Sequence, residues 1–440
     1  MIKRNYIVFL IIFFSIAIFF VKSNVLKKQT NQHYIVAASS NPGEIFLYKL
    51  ENGNYKKIKS IDTGYKFVYT VRVADIYNNK RQYIVAGVSN SFFGEPYGCK
   101  IISYDLYKFQ EKMIDDVGDL RCKDLTIGDA ENNGKNEIVL ATHGVGYVRL
   151  YKWQNNQWEK EDLDSNYIDR IDQQEKTDHR VPNTQLPCQS CIVQTAVHIV
   201  KIADVDNDGK NEVIATISSP LELQNVDEIS VIKVYKKEGD TWKSTVVDKL
   251  SGREFRSITI GDLYNNRHNI MLIGIGSPRN EKGSLVVYDF FNSSWNKKEI
   301  YRDSSETNMK AVALADVFDD GKQRILLATG FPEAKIMLLT WKINKFEINQ
   351  FGTISSLFNI KGAQFNSMAV SLQKDPVSTN LIIGGMTTYP NKKIGWEGTK
   401  DGFIAHYKMD KNLRENKVIE KWTNKIMETR SVLGLDKYTL

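Results

Sequence analysis

Short apolar runs and polar turns alternate along almost the whole chain. Apolar stretches such as YIVAGVS, EIVLATHG, EVIATISS, NIMLIGIG, RILLATGF and NLIIGGMT are each followed by an alternating one: KIISYDLY, YVRLYKW, SVIKVYKK, SLVVYDF, KIMLLTW and FIAHYKM. More polar runs such as QWEKEDLD, DTWKSTVVD and SWNKKEIY come next. Period-two alternation predicts half-buried strands, and the unbroken apolar runs predict strands covered on both faces. Gly and Asn/Asp turns separate them.

The pattern repeats. VRVADIYNN, LTIGDAENNG, VKIADVDNDG, ITIGDLYNN and VALADVFDDG align on Asp75, Asp129, Asp204, Asp262 and Asp316, at spacings of 54, 75, 58 and 54 residues. SMAVSLQKD continues the series 56 residues on with Leu372 in the Asp position, and SVLGLDKY ends it with Asp436. Four β-rich runs per period of roughly fifty residues predict one propeller blade per period. At the N-terminus, YIVAASS (Tyr34–Ser40), GEIFLYKL and NYKKIKSI match the second, third and fourth strands of a blade that lacks its first. The C-terminal SVLGLDK supplies a first strand with almost nothing after it. Six whole units plus this composite predict an all-β, seven-bladed β-propeller over residues 33–440, closed by strands from both termini. Closure removes the edges that an open array would expose.

These units resemble the FG-GAP, or VCBS-type, repeat, the blade of the integrin α-subunit propeller. The resemblance rests on Ala or Gly, then Asp, then D-x-D-G-x-x-E and an apolar strand. The best copy is Ile202-Ala203-Asp204-Val205-Asp206-Asn207-Asp208-Gly209-Lys210-Asn211-Glu212-Val213. It covers nearly everything from Tyr34 to Asp436. No thigh, calf or inserted metal-binding domain accompanies it, so the resemblance implies a bare propeller and carries over no integrin ligand.

One loop has clear chemistry. Asp204, Asp206 and Asp208 alternate, Lys210 offers a backbone carbonyl and Glu212 a final carboxylate, which places hard oxygen ligands at positions 1, 3, 5, 7 and 9, as Ca²⁺ requires. Four carboxylates within nine residues repel one another without a cation. Position 12 is Ala215 and EVIATISS reads as a strand, so the loop is not an EF-hand. The expected Ca²⁺ is structural, tying two strands of one blade. Asp129, Glu131, Asn133 and Glu137 form a second candidate Ca²⁺ loop, with a lower ligand charge at Asn133. In the Asp316 loop Phe318 and Arg324 replace ligands at positions 3 and 9, and Arg324 is expected to supply the positive charge in place of a metal. The Asp75 and Asp262 loops carry Tyr77 and Tyr264 at position 3, and their aspartates are expected to cap their own turns.

The spacing of 75 marks an insertion at about 161–195 that holds Cys188 and Cys191. A local disulfide, a redox pair and a zinc half-site with His179 or His198 are the readings of this CxxC. Cys99 and Cys122 flank the outer strands of the first complete blade and suit a second disulfide. Tyr389, Lys393 and Trp396 in one loop, and Phe92, Phe93 and Tyr97 in another, suggest a recognition surface. His143 follows an apolar strand and is a candidate to face the central channel.

Composition adds limits. The formal charge of +7 falls to +4, from 56 basic and 52 acidic residues, once Lys3, Arg4 and Lys22 are removed with residues 1–23. No basic run is interleaved with aromatics, so nucleic acid is not an expected partner. Tyr6 to Val21 is uncharged and apolar, and reads as a hydrophobic helix serving as signal peptide or signal-anchor (1–23), followed by a linker (24–32). Either form puts the remainder outside the cytosol or in a lumen, where cysteines pair. No Ser/His/Asp order, HExxH, phosphate loop or acid pair stands out. The chain therefore reads as a secreted or membrane-tethered binding or adhesion propeller for a protein or glycan. The alternatives are a lyase or hydrolase working at the central channel, or a docking subunit of a membrane complex.

Overall fold

The computed structural model describes residues 34–435, apart from segments 91–97, 167–194, 219–228, 277–281, 331–333, 354–362, 375–376, 390–396, 410–414 and 423–427 and positions 41, 119, 145, 307 and 344. The N-terminal hydrophobic segment, Cys188 and Cys191, His179, Asp436 and the loop residues Phe92, Phe93, Tyr97, Lys393 and Trp396 lie outside the described residues. Among those described, every regular element is a strand, and no helix is long and apolar enough to cross a membrane.

The strands pair in antiparallel groups of four, all but the first a meander in sequence order, and the pairings of Ser40 with Phe67 and of Thr195 with Gly144 join the first two groups and the next two into eight-stranded sheets. β1 (Tyr34–Ser40), β2 (Glu44–Glu51) and β3 (Asn54–Asp62) make three strands of the first group. The groups that follow are β4 (Phe67–Ala74), β5 (Tyr83–Ser89), β6 (Cys99–Asp105) and β7 (Glu111–Gly118); then β8 (Arg121–Gly128), β9 (Glu137–Gly144), β10 (Gly146–Gln154) and β11 (Gln157–Asn166). Next come β12 (Thr195–Ala203), β13 (Glu212–Ser218), β14 (Ile229–Glu238) and β15 (Thr241–Ser251), and β16 (Glu254–Gly261), β17 (Ile270–Gly276), β18 (Lys282–Phe291) and β19 (Ser294–Glu306). The last are β20 (Met309–Ala315), β21 (Arg324–Thr329), β22 (Lys335–Lys342) and β23 (Lys345–Thr353), and β24 (Ala363–Lys374), β25 (Val377–Tyr389), β26 (Glu397–Met409) and β27 (Glu415–Trp422). β28 (Glu428–Leu435) completes the first group by pairing with β1 on the edge away from β2, Tyr34 opposite Leu435 and Ala37 opposite Val432. Glu161–Asn166 belong to β11 rather than to the insertion, which shortens it at its start.

The second strand of each group explains the assembly. Its two faces bury against two different neighbours. In β5, Ile84, Ala86 and Val88 pack with Val36, Ala38, Ile45 and Leu47 of the preceding group. Tyr83 and Val85 pack with Leu125, Ile138, Leu140 and Tyr151 of the following one. β9, β13, β17 and β21 divide their alternate residues in the same way. The circuit returns to its start, because Ile382 and Ile404 share a core with Ile35, Ala37, Phe46 and Tyr48. Each large aliphatic or aromatic side chain buried here contributes about 1.5–3 kcal/mol. The first strands also touch in succession, β4 with β8, β8 with β12, and onward through β16, β20 and β24 to β28, which touches β4.

Polar ties reinforce neighbouring groups. The Tyr151 hydroxyl donates to Asp115 at 2.9 Å, Tyr235 to Asp164 at 2.9 Å and Tyr288 to Asp248 at 2.6 Å. Each joins a third strand to the fourth strand of the group before. Cys99 and Cys122 form a disulfide that links β6 to β8 and so crosses between groups.

Every first strand carries a one-residue bulge near its beginning. Tyr69, Lys123, His198 and Arg256 are the unpaired residues in β4, β8, β12 and β16. Lys310, Asn366 and Arg430 hold the same register position in β20, β24 and β28. A bulge breaks the alternation of faces and re-aims the extra side chain.

Candidate metal centre

The loops between first and second strands share one framework. In four of them the leading aspartate uses both carboxylate oxygens on backbone N–H groups of its own turn. Asp75 accepts from Asn79 and Lys80, Asp129 from Asn133 and Gly134, Asp262 from Asn266 and Arg267, and Asp316 from Asp320 and Gly321. The capping role expected at Asp75 and Asp262 is therefore general.

Asp204 differs. Its Oδ2 accepts the Gly209 N–H at 3.0 Å, but the Asp208 N–H turns to Asp206 Oδ1 at 3.2 Å. Asp204 Oδ1 is left buried without a hydrogen-bond partner, as is Glu212 Oε1. One oxygen from each of Asp204, Asp206 and Asp208 lies within 4.8 Å of the others, the one such group of metal-ligating side chains among the described residues. Glu212 Oε2 accepts the Val205 N–H at 3.0 Å, which turns its other oxygen toward the cluster side. Burial, with the charges of Asp206 and Asp208, pushes the Glu212 carboxyl up to about 7 against that backbone bond. Two orphaned oxygens beside two more carboxylates fit a hard divalent cation.

An internal cation reaches the same carboxylates. Lys236, on β14, contacts Asp206 Oδ2, Asp208 Oδ2 at 2.7 Å and Glu212 Oε1 at 3.6 Å. One ammonium contacts three acidic side chains, and with Asp204 as the fourth acid and Lys210 the only other cation of the loop the carboxylates still outnumber the cations. Composition gave no hint of Lys236, which lies about one strand pair away in sequence.

The second candidate loop is built differently. Glu131 is held by Lys152 at 2.7 Å and Lys237 at 3.2 Å. Burial works against its charge, but hydrogen bonds from those lysines outweigh it and keep the carboxyl below the usual range. Asn133 Nδ2 donates to Glu137 Oε1 at 3.3 Å, which spends that oxygen, and burial raises the Glu137 carboxyl. Asp129, Glu131, Asn133 and Glu137 thus find partners within the protein. In the Asp316 loop Arg324 takes the cation's place, 2.6 Å from Asp320 and 3.6 Å from Asp316.

Loops of adjacent groups are laced together by an asparagine ladder. Asn136 donates its N–H to Asn78 Oδ1 at 2.9 Å, Asn211 to Asn132 Oδ1 at 2.6 Å and Asn269 to Asn207 Oδ1 at 2.6 Å. Side-chain amides of Asn136, Asn211 and Asn269 donate to the carbonyls of Asp75, Asp129 and Asp204. The accepting Asn78, Asn132 and Asn207 have φ of 53°, 58° and 61°, a region that Asn tolerates well.

His143 lies in β9, cross-strand from Arg121 and from Ala196, with its Nδ1 buried and without a partner. Burial first, and then the charges of Arg121 and Lys123, hold its pKa well below the usual imidazole value. The Tyr389 backbone ends β25, opposite Glu397.

No family model and no curated protein matches this chain. Solved structures do. A hypothetical selenium-binding protein from Sulfolobus tokodaii superposes with a TM-score of 0.56 at 10% identity, over 92% of this chain and 94% of that one. A Lactobacillus plantarum protein gives 0.53 at 8% identity, over 92% and 99%. Identity this low speaks for fold alone: the chain is an all-β protein of antiparallel sheets with a propeller-like fold.

Proposed function

We propose that the strand groups are the seven blades of a closed FG-GAP-type propeller, working as a binding module outside the cytosol for a protein or glycan. The N-terminal segment tethers or exports it. The observation that carries this reading is the return of the circuit to its start, with Ile382 and Ile404 packed on Phe46 and Tyr48 and β28 paired with β1. A closed wheel leaves only the short outer edges of its sheets open, and its function then falls to loops on a rigid frame. The Cys99–Cys122 disulfide supports an oxidising compartment.

The Asp204 loop is assigned a structural Ca²⁺, with Asp204, Asp206, Asp208, the Lys210 carbonyl and Glu212 as its holders. A bound ion neutralises the carboxylates and braces the end of β12 against the start of β13. Lys236 would then leave the acids. At the Asp129 loop an ion would have to displace two lysines from Glu131, so the assignment stops at Asp204.

The test is capture of partners from secreted and membrane extracts on the immobilised full chain, with Ca²⁺ and with a chelator. The reading expects a defined partner that is retained with Ca²⁺ and released by chelation. Metal-independent turnover of a substrate, with no partner in either condition, would contradict it.

A further inference from the structure

We infer that Asn292 carries an N-linked oligosaccharide whose first sugar lies over the ring of Phe291. This rests on the proposed export of the chain, since the acceptor triplet is used on surface loops of secreted proteins. Asn292-Ser293-Ser294 is the one Asn-x-Ser/Thr triplet in the sequence. The fold sets it at the tip of the two-residue turn between β18 and β19, with all three residues exposed.

The turn alone accounts for part of this. Asn292 has a φ of 52°, and Asn52 and Asn155 open the corresponding turns at 51° and 50°. The Ser294 hydroxyl donates to the Phe291 carbonyl at 3.1 Å, as Thr241 does to Glu238 at 3.2 Å. Phe291 is what the turn does not explain. Four other groups join their third and fourth strands by two residues, and the strand residue before each of those turns is Glu51, Gln154, Glu238 or Lys342. All four are polar. The same place here holds a phenylalanine, paired across the turn with Ser294 and 59% exposed. A pyranose attached to the next residue can lay its apolar face on that ring and take it out of water.

The stem beneath is firm. Phe290 packs on Trp295 with ring centroids 5.0 Å apart, and Asp289 meets His268 Nε2 of the Asp262 loop at 2.6 Å. That contact also places the turn and the Asp262 loop at one end of their group, so the glycan stands on the rim of the Asp-loop face. In the transfer, Asn292 Nδ2 bonds to the anomeric carbon of a lipid-pyrophosphate-linked oligosaccharide. The bond from that carbon to the pyrophosphate oxygen breaks, its electron pair leaves with the lipid pyrophosphate, and the amide proton passes to a base of the transferase.

The experiment uses the full chain purified from the cells that make it. Peptide N-glycosidase in heavy-oxygen water, followed by peptide mass spectrometry, should find heavy-oxygen aspartate at position 292. Hydroxyl-radical labelling of the folded protein, before and after the glycan is removed, reads the cover over the ring. Labelling of Phe291 should rise severalfold, and that of Tyr107, 72% exposed on another turn, should stay the same. Ser294→Ala should abolish the glycan and show the high Phe291 labelling from the start. The same peptides report the Cys99–Cys122 disulfide, which separates two failures. Unmodified Asn292 in a chain with that disulfide formed would overturn the inference and leave export standing. Unmodified Asn292 with both thiols free would overturn the two together. A glycan on Asn292 with Phe291 labelled equally before and after its removal would also overturn the inference.

Discussion

Asn207 and Asn269, 62 residues apart in sequence, hold each other by a reciprocal pair of hydrogen bonds. Asn207 Oδ1 accepts the Asn269 N–H at 2.6 Å, and Asn207 Nδ2 donates to the Asn269 carbonyl at 3.1 Å. One side chain thus satisfies both backbone groups of a residue in the next loop. Asn132 and Asn211 repeat the arrangement, at 2.6 and 3.0 Å.

Asn207→Ala should lower stability by about 2 kcal/mol, for two hydrogen bonds lost and an Ala placed at φ 61°. Asn207→Gly keeps the backbone at ease and should cost less. Urea unfolding midpoints of the two variants check the order. Equal midpoints for wild type and Asn207→Ala would remove the ladder from the account.

Calcium should raise the Tm of the full chain, and Asp204→Asn should abolish that rise because it alters the carboxylate with the orphaned oxygen. Glu137→Gln should leave the rise unchanged, since the Asp129 loop is neutralised by Lys152 and Lys237 around Glu131. A thermal scan of the three proteins with and without Ca²⁺ decides it.

Arg324→Met should cost about 2 kcal/mol. Its side chain is 6% exposed and serves two carboxylates, although Asp320 is open enough to solvent to moderate the loss. The sign of the pH effect follows from Asp320. Its hydrogen-bonded pairing with Arg324 holds its carboxyl below the ordinary range. A folded value below the unfolded one gives stability that is present above about pH 4 and lost as pH falls further. Chemical unfolding between neutral and acid pH should show a shallower acid loss in Arg324→Met than in wild type.

Replacing both Cys99 and Cys122 by Ser should lower stability by about 3 kcal/mol, from loop entropy over a separation of 23 residues. Guanidinium unfolding of the double variant measures this. Reductant should then have little further effect on the variant.

The blade pattern was legible because a strand covered on both faces must be apolar throughout, as YIVAGVS and EVIATIS are, and because the Asp turns recur. The composite first group was also legible: YIVAASS became β1 and SVLGL the end of β28. The loop acids were readable as a set, but not the feature that separates Asp204 from Asp129. That difference depends on which backbone N–H each oxygen receives. Lys236 and Lys152 were invisible for a similar reason, since each reaches its loop from a third strand. In the unit with Leu372, which has no Asp to cap a turn, β24 and β25 pair as far as Lys374 and Val377. The bulges leave a trace in the sequence. In RCKDL, AVHIV, EFRSI and NMKAV a polar residue breaks the alternation at one fixed place.

Closure is tested most directly by hydrogen exchange of the β1 amides, residues 34–40, in the full chain and in a chain ending at residue 427. The account predicts slow exchange in the full chain, and fast exchange once β28 is removed and the β1 edge is bare. Equal protection of β1 in both proteins would contradict it.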